Sequence, residues 1–249
     1  LNVVKSLERR GFPVSYTNVD EEGAVDFEQL RDKMTKETLL VSIQHANQEI
    51  GTLQDIKKIG ELCGDREVPL HVDAVQSFTK APIDVEKMTI DLLSISAHMI
   101  HGPKGIGALY VKEGVKLKPL MEGGYHEFGL RSGTENVPGA VGFAKAIELV
   151  NEGQLEHMRR LRDYLIKGLL ETPDSRLNGT KEDRRLCNNV NITFRFVEGE
   201  SILLHLDMRG IIVMTGSACF SKTLEPSHVI LALGLRHEDA HGSVRFSLS

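Results

Sequence analysis

The chain has 249 residues, a formal net charge of −5, 26% charged residues and 41% hydrophobic residues. That length supports one large domain or two modest ones with cores of their own. The acidic balance argues against a nucleic-acid binder, which carries a basic excess or a basic stripe. No apolar run reaches the roughly 18 residues of a membrane span, and no signal-peptide pattern opens the sequence.

Leu1, Val4 and Leu7 share one face of a predicted helix that stops at Gly11, and residues 13–16 read as extended. Asp26 with Gln29 three residues on forms a capping-box pattern for a helix to about residue 34. Residues 39–43 read as a buried strand, about 54–63 as a helix, and 68–72 as a strand ending at Asp73. Residues 91–95 and 106–111 are further strands. Strands alternating with helices predict an α/β fold, a mostly parallel sheet with flanking helices. In such sheets ligands sit beyond the carboxyl ends of the strands. Asn47, Asp73 and Ser96 fall at those ends and are expected to converge on one pocket.

The character changes after about residue 136. A helical stretch covers about 137–170, broken near Asn151. A strand at 189–194, a helix at about 200–209, a strand at 211–214, a helix at about 226–233 and a strand at 243–248 follow. This predicts a large domain over 1–150 and a smaller α+β domain over 151–249. The sequence opens inside an amphipathic pattern and closes on a strand alternation, so further sequence is expected on both sides.

Several segments carry groups suited to chemistry. HVDAVQ at 71–76 sets an acid at a strand end, three residues before an amide. Asp73 is either the partner of a protonated pyridine nitrogen or a helix N-cap. Ser96, His98 and the GPKGIG loop at 102–107 offer hydroxyl, imidazole and backbone N–H groups to a phosphate. The alternative is a tight turn before a strand. Arg245 in the last strand either grips a carboxylate with its planar fork or lies at the surface of an edge strand. The loop at 123–136, rich in glycine and polar groups, is long enough to reach across a dimer interface.

Three widely spaced cysteines make neither a disulfide framework nor a paired-cysteine zinc site, and they point to a reducing cytoplasm. Cys219 lies in the small-residue loop TGSAC at 215–219, with Lys222 nearby to favour a reactive thiolate. Cys63 suits an inert, packed role on its helix, and Cys187 is expected at the surface or in a turn.

HANQEIG at 45–51, HVDAVQS at 71–77, SAHMIHGPKG at 96–105, RSGTEN at 131–136, TGSAC at 215–219 and LEPS at 224–227 occur in this order. Together they resemble the cysteine desulfurases of the class V aminotransferase group, over essentially the whole chain. The resemblance implies a fold-type I pyridoxal phosphate (PLP) enzyme that converts L-cysteine to L-alanine and passes sulfur to an iron–sulfur scaffold or another acceptor protein. It implies that Asp73 pairs with the pyridine nitrogen, that Gln76 and Asn47 bond the phenolic oxygen or the substrate, and that Ser96 and His98 hold the phosphate. Thr134 is implied to reach the phosphate site of a neighbouring subunit in a homodimer. Asn47 and Arg245 are implied to bind the cysteine carboxylate, and Cys219 to carry sulfur as a persulfide, with His98 beside the reacting centre.

The family's amino-terminal third and extreme carboxyl-terminal segment have no counterpart in this sequence. A further departure stands at Met99, where the family pattern has the lysine that forms the Schiff base. A thioether neither forms an imine nor moves protons, so PLP is expected to be held non-covalently. Lys104 has its own place in the pattern and does not replace the missing amine. Met99 leaves two functions in view, a weakened desulfurase and a non-catalytic sulfur-relay or iron–sulfur scaffold in which Cys219 receives sulfur or ligates iron. A selenocysteine lyase or a related lyase on the same fold is a third.

Overall fold

The computed structural model describes residues 2–215 and 226–248. The first sheet contains β1 (Val41–Gln44), β2 (Leu70–Asp73), β3 (Leu92–Ser96) and β4 (Gly107–Val111) in that spatial order. β1, β2 and β3 run parallel, and β4 returns antiparallel along β3. The alternation along β1 and β2 sorts their side chains. Val41, Ile43, Leu70 and Val72 face a core with Leu30, Ile56 and Ile59, and the intervening polar residues face the other side. Complete burial of Leu70 and Val72 contributes roughly 1.5–3 kcal/mol each.

Two helices cover that core. α1 (Asn2–Arg9) buries no residue, so α2 (Phe27–Lys33) is the first to pack. Asp26 caps α2 by accepting from the Gln29 amide at 3.0 Å. The expected reciprocal half of the capping box is not made. Gln29 Oε1 instead accepts from the Asn18 amide at 2.7 Å. α3 (Ile56–Asp65) is capped by Asp55 and buries Ile56, Ile59, Gly60 and Cys63 on one face. Opposite them, α4 (Val137–Leu149) packs Phe143 and Ala146 against Ala97 and Ile100. Phe143 meets Phe78 edge-on, with ring centroids 6.2 Å apart.

The chain breaks after α4, as expected, and α5 (Glu152–Leu169) starts on an Asn151 cap. The second sheet is wholly antiparallel, with order β5 (Ser175–Leu177), β6 (Asn189–Phe194), β8 (Ser243–Ser247) and β7 (Met214–Thr215). α6 (Gly199–Asp207), α7 (His228–Ala232) and α8 (His237–Ala240) complete the described elements.

Three sequence expectations change here. The strand expected at 211–214 shortens to Met214–Thr215, because only those residues meet β8, and Ile212 is left exposed. Arg245 is not on an edge. β8 is an inner strand, so Arg245 pairs with Asn191 on one side and Met214 on the other. Cys187 lies in a turn, one of its two expected settings, but not at the surface. It is 2% exposed, in the segment that leads into β6.

Candidate active site

The strand ends of the first sheet place the polar groups. His71 Nδ1 lies 2.8 Å from Ser42 Oγ, and His71 Nε2 lies 2.9 Å from Ser94 Oγ. Burial pushes the His71 pKa down, against the pull of Asp73. A neutral ring donates through one nitrogen and accepts through the other, so it links three adjacent strands.

Asp73 ends β2, paired with Gln44 of β1 and Ser94 of β3. Its Oδ1 accepts from the Val75 amide at 3.0 Å. Its Oδ2 accepts no hydrogen bond from the described residues. One oxygen therefore serves the turn, and the other is left for a ligand.

Ser96 ends β3 and its Oγ lies 2.8 Å from His98 Nδ1. The chain then turns through a 3₁₀ segment, Ala97–Ile100, that carries both His98 and Met99. His101 closes this turn in the left-handed region at φ +61°, and the Gly102 amide donates to the Ala97 carbonyl at 2.9 Å. The expected tight turn and the expected phosphate groups thus share one segment. Asn47 is engaged in its own loop. Its Oδ1 accepts from the Glu49 and Ile50 amides at 2.9 and 3.1 Å, and its Nδ2 donates to Gln44 Oε1 at 3.3 Å.

A cavity of about 690 Å³ opens beyond these ends, within the range of roughly 300–1,000 Å³ usual for ligand sites. Gln76, His98, Met99 and Arg245 line it, so four of the expected site residues meet there. Asn47, Asp73, Ser96 and Thr134 are not part of its lining. Thr134 lies exposed on the loop before α4. Cys219 lies outside the described residues.

The lining residues that sequence reasoning missed include Gln48, Lys80, His101 and His157. The spacing of Gln76 and Lys80, four residues apart, was the available signal for Lys80.

The cavity suits an anion. Among its described lining residues none is Asp or Glu, and Arg245 brings a permanent cation. The Arg245 guanidinium is underused. Nη1 donates to the Gln48 carbonyl at 3.3 Å, Nη2 to Met214 Sδ at 2.9 Å, and the buried Nε has no partner. A thioether is a weak acceptor, so this side chain keeps donors available for a carboxylate or phosphate.

Comparison with known proteins agrees with this architecture. The aminotransferase class-V family matches residues 1–249. The chain belongs to that family. It is 52% identical to "Cysteine desulfurase IscS" of Clostridium botulinum, with all of this chain aligned to 64% of that protein. It is 51% identical to "Cysteine desulfurase IscS 1" of Archaeoglobus fulgidus, again over all of this chain, with 65% of the relative covered. A solved "NIFS-like protein" superposes with TM-score 0.88 at 37% identity, over 99% of this chain and 66% of that one. "SspA in complex with cysteine" gives TM-score 0.86 at 35% identity, over 99% and 69%. The chain therefore spans about two-thirds of the length of these class-V relatives.

Membership of the class-V family, with desulfurase relatives, implies PLP as cofactor. The residues present fit its non-covalent contacts. Arg245 lines a cavity with no Asp or Glu among its described lining residues and has a buried Nε without a partner, the Asp73 Oδ2 is free at the strand end, and His98 and Gln76 reach the cavity. Position 99 does not fit the covalent one, because Met99 brings a thioether to the cavity wall.

Proposed function

We propose that this chain forms the greater part of a PLP-dependent cysteine desulfurase whose activity is limited by Met99. The observation that carries this reading is Arg245, whose Nε has no partner, in a cavity shared with Gln76 and His98 that has no Asp or Glu among its described lining residues. The desulfurase relatives supply the substrate class, L-cysteine. When bound, PLP supplies an electron sink for the substrate's α-carbon.

The chain's own residues divide the remaining work. With PLP bound, Asp73 would hold a proton on the ring nitrogen through its free Oδ2, and Ser96 and His98 would hold the phosphate. Gln76 and Asn47 would bond the phenolic oxygen or substrate, and Arg245 would orient the cysteine carboxylate. Cys219 attacks the substrate sulfur. The carbon–sulfur bond breaks, its electron pair stays with carbon, which takes up the proton that the Cys219 thiol gives up, and the sulfur remains on Cys219 as a persulfide. Alanine leaves, and an acceptor protein of iron–sulfur assembly takes the sulfur. Thr134 completes the site of a second copy in a homodimer, for which its exposure leaves it available. Residues 1–150 form the cofactor-binding domain and 151–249 the smaller one, in a reducing, cytoplasmic setting.

Met99 removes both the tether and the proton carrier expected of a lysine there. At that position the cofactor is held by contacts, each charge-assisted hydrogen bond contributing roughly 1.5–3 kcal/mol. The deciding experiment measures alanine and sulfide from L-cysteine and PLP for the chain and for its Met99→Lys variant. The variant turns over substantially faster. Equal, robust turnover by both proteins overturns the role given to Met99.

Met99 also favours a second reading, a sulfur-relay or iron–sulfur scaffold protein. A coloured, iron-containing preparation that loses its iron on Cys219→Ala, with no alanine produced by either position-99 form, selects that alternative.

A further inference from the structure

One nucleophile of the cavity has no part in the chemistry above. Lys80 ends the turn that follows Gln76. The Ser77 and Phe78 amides donate to the Ala74 carbonyl at 3.1 and 2.8 Å, and the Lys80 and Ala81 amides donate to the Ser77 carbonyl at 2.8 and 2.9 Å. Thr79 sits between them in the left-handed region at φ +66°. This tight path brings Gln76 and Lys80 to the same cavity as His98 and Met99.

The surroundings of Lys80 are unusual for an ammonium. Among the described residues it has no carboxylate partner and no hydrogen bond to its Nζ. Burial pushes its pKa below the ordinary lysine value, and the buried Cys187 thiol opposes that shift. A cation taken from water without a counter-ion shifts toward its neutral form, and the neutral amine is the nucleophile. Lys104 differs on both counts. It is exposed and does not line the cavity.

We propose that Lys80 is the amine that captures an aldehyde in this cavity, supplying the bond that Met99 cannot make. The proposal rests on the cofactor reading above. The unprotonated Nζ adds to the aldehyde carbon, and the carbonyl oxygen leaves as water with the two amine hydrogens. A carbon–nitrogen double bond replaces the carbon–oxygen one, and nothing is oxidised or reduced.

The test uses the whole chain, its Lys80→Arg and Met99→Lys variants, and pyridoxal 5′-phosphate as probe. Each protein is checked for fold by circular dichroism and for retained probe by gel filtration. It is then reduced with borohydride, and its peptides are mapped by mass spectrometry. The reduced adduct falls on the peptide that contains Lys80, disappears in Lys80→Arg, and moves to position 99 in Met99→Lys. The map of the unsubstituted chain decides the matter even if Lys80→Arg fails to fold. Probe retained without an adduct, or adducts spread evenly over exposed lysines such as Lys104, overturns the role of Lys80 and leaves the cofactor reading standing. Retention by Met99→Lys alone does the same. Retention by neither overturns both.

Discussion

The guanidinium of Arg245 donates to the backbone carbonyl of Gln48 at 3.3 Å, tying an inner strand of the second sheet to the loop that follows β1 of the first. The contact fixes the fork over the cavity and leaves Nε unpartnered. Lysine keeps the charge and loses the planar, bidentate geometry. In the Met99→Lys background, Arg245→Lys is therefore expected to raise KM for L-cysteine about 10- to 100-fold, the equivalent of one charge-assisted hydrogen bond. Steady-state kinetics checks this. An unchanged KM removes Arg245 from carboxylate recognition.

His45 gives the fold a pH dependence. It is 5% exposed, its Nδ1 has no partner, and burial lowers its pKa to about 4. Below the ordinary value of 6.5 the unfolded chain takes up a proton that the folded chain resists. Stability is thus present above 6.5 and lost as pH falls toward 4, with a span on the order of 3 kcal/mol. Buried Glu49 acts in the opposite sense. Its pKa is raised, first by burial, so its contribution is lost as pH rises above the ordinary carboxylate range. Comparing His45→Gln with the parent isolates the histidine. Urea unfolding at pH 7 and pH 4.5 should show the parent losing more stability than the variant. Equal losses would remove His45 as the cause.

The two described cysteines are inert in the folded state. Cys63 is 1% exposed, with burial pushing its thiol up to about 11, and burial also raises the Cys187 thiol. The thiolate is the reactive form. With three cysteines in the chain, iodoacetamide is expected to label Cys219 first under native conditions and all three in denaturant. Peptide mapping reads the order of labelling. Native labelling of Cys63 or Cys187 ahead of Cys219 would contradict it.

Local patterns made much of this legible. The alternation Val41-Ser-Ile-Gln sets β1, and the 3–4 spacing of Ile56, Ile59 and Cys63 sets the buried face of α3. The residues at the strand ends stand where the alternation of strands and helices put them. Strand order is different, because nothing near Arg245 in sequence says that β7 lies outside β8. The burial of Cys187 likewise comes from its place before β6, against which α5 packs. β5 has only three residues, too few to show a period. Lys80 reads as an ordinary turn lysine until the turn is seen to face the cavity.

Gly51 tests how firmly the loop of Gln48 is held. Its φ is +75°, and an added Cβ would meet Asn189 Oδ1 at 2.6 Å. Asn189 cannot withdraw cheaply. Its Nδ2 donates to the Gln48 and Glu49 carbonyls at 3.1 and 3.2 Å, and its Oδ1 accepts from Arg185 Nη1 at 3.1 Å. Gly51→Ala therefore combines left-handed strain of about 1–2 kcal/mol with a steric clash, and is expected to destabilise the fold by at least about 2 kcal/mol. Asn189→Ala relieves the clash and not the strain, so the double variant should cost less than the sum of the two singles. Chemical denaturation of all four proteins measures the difference. Strict additivity would mean that the Asn189 side chain is not what fills the space above Gly51.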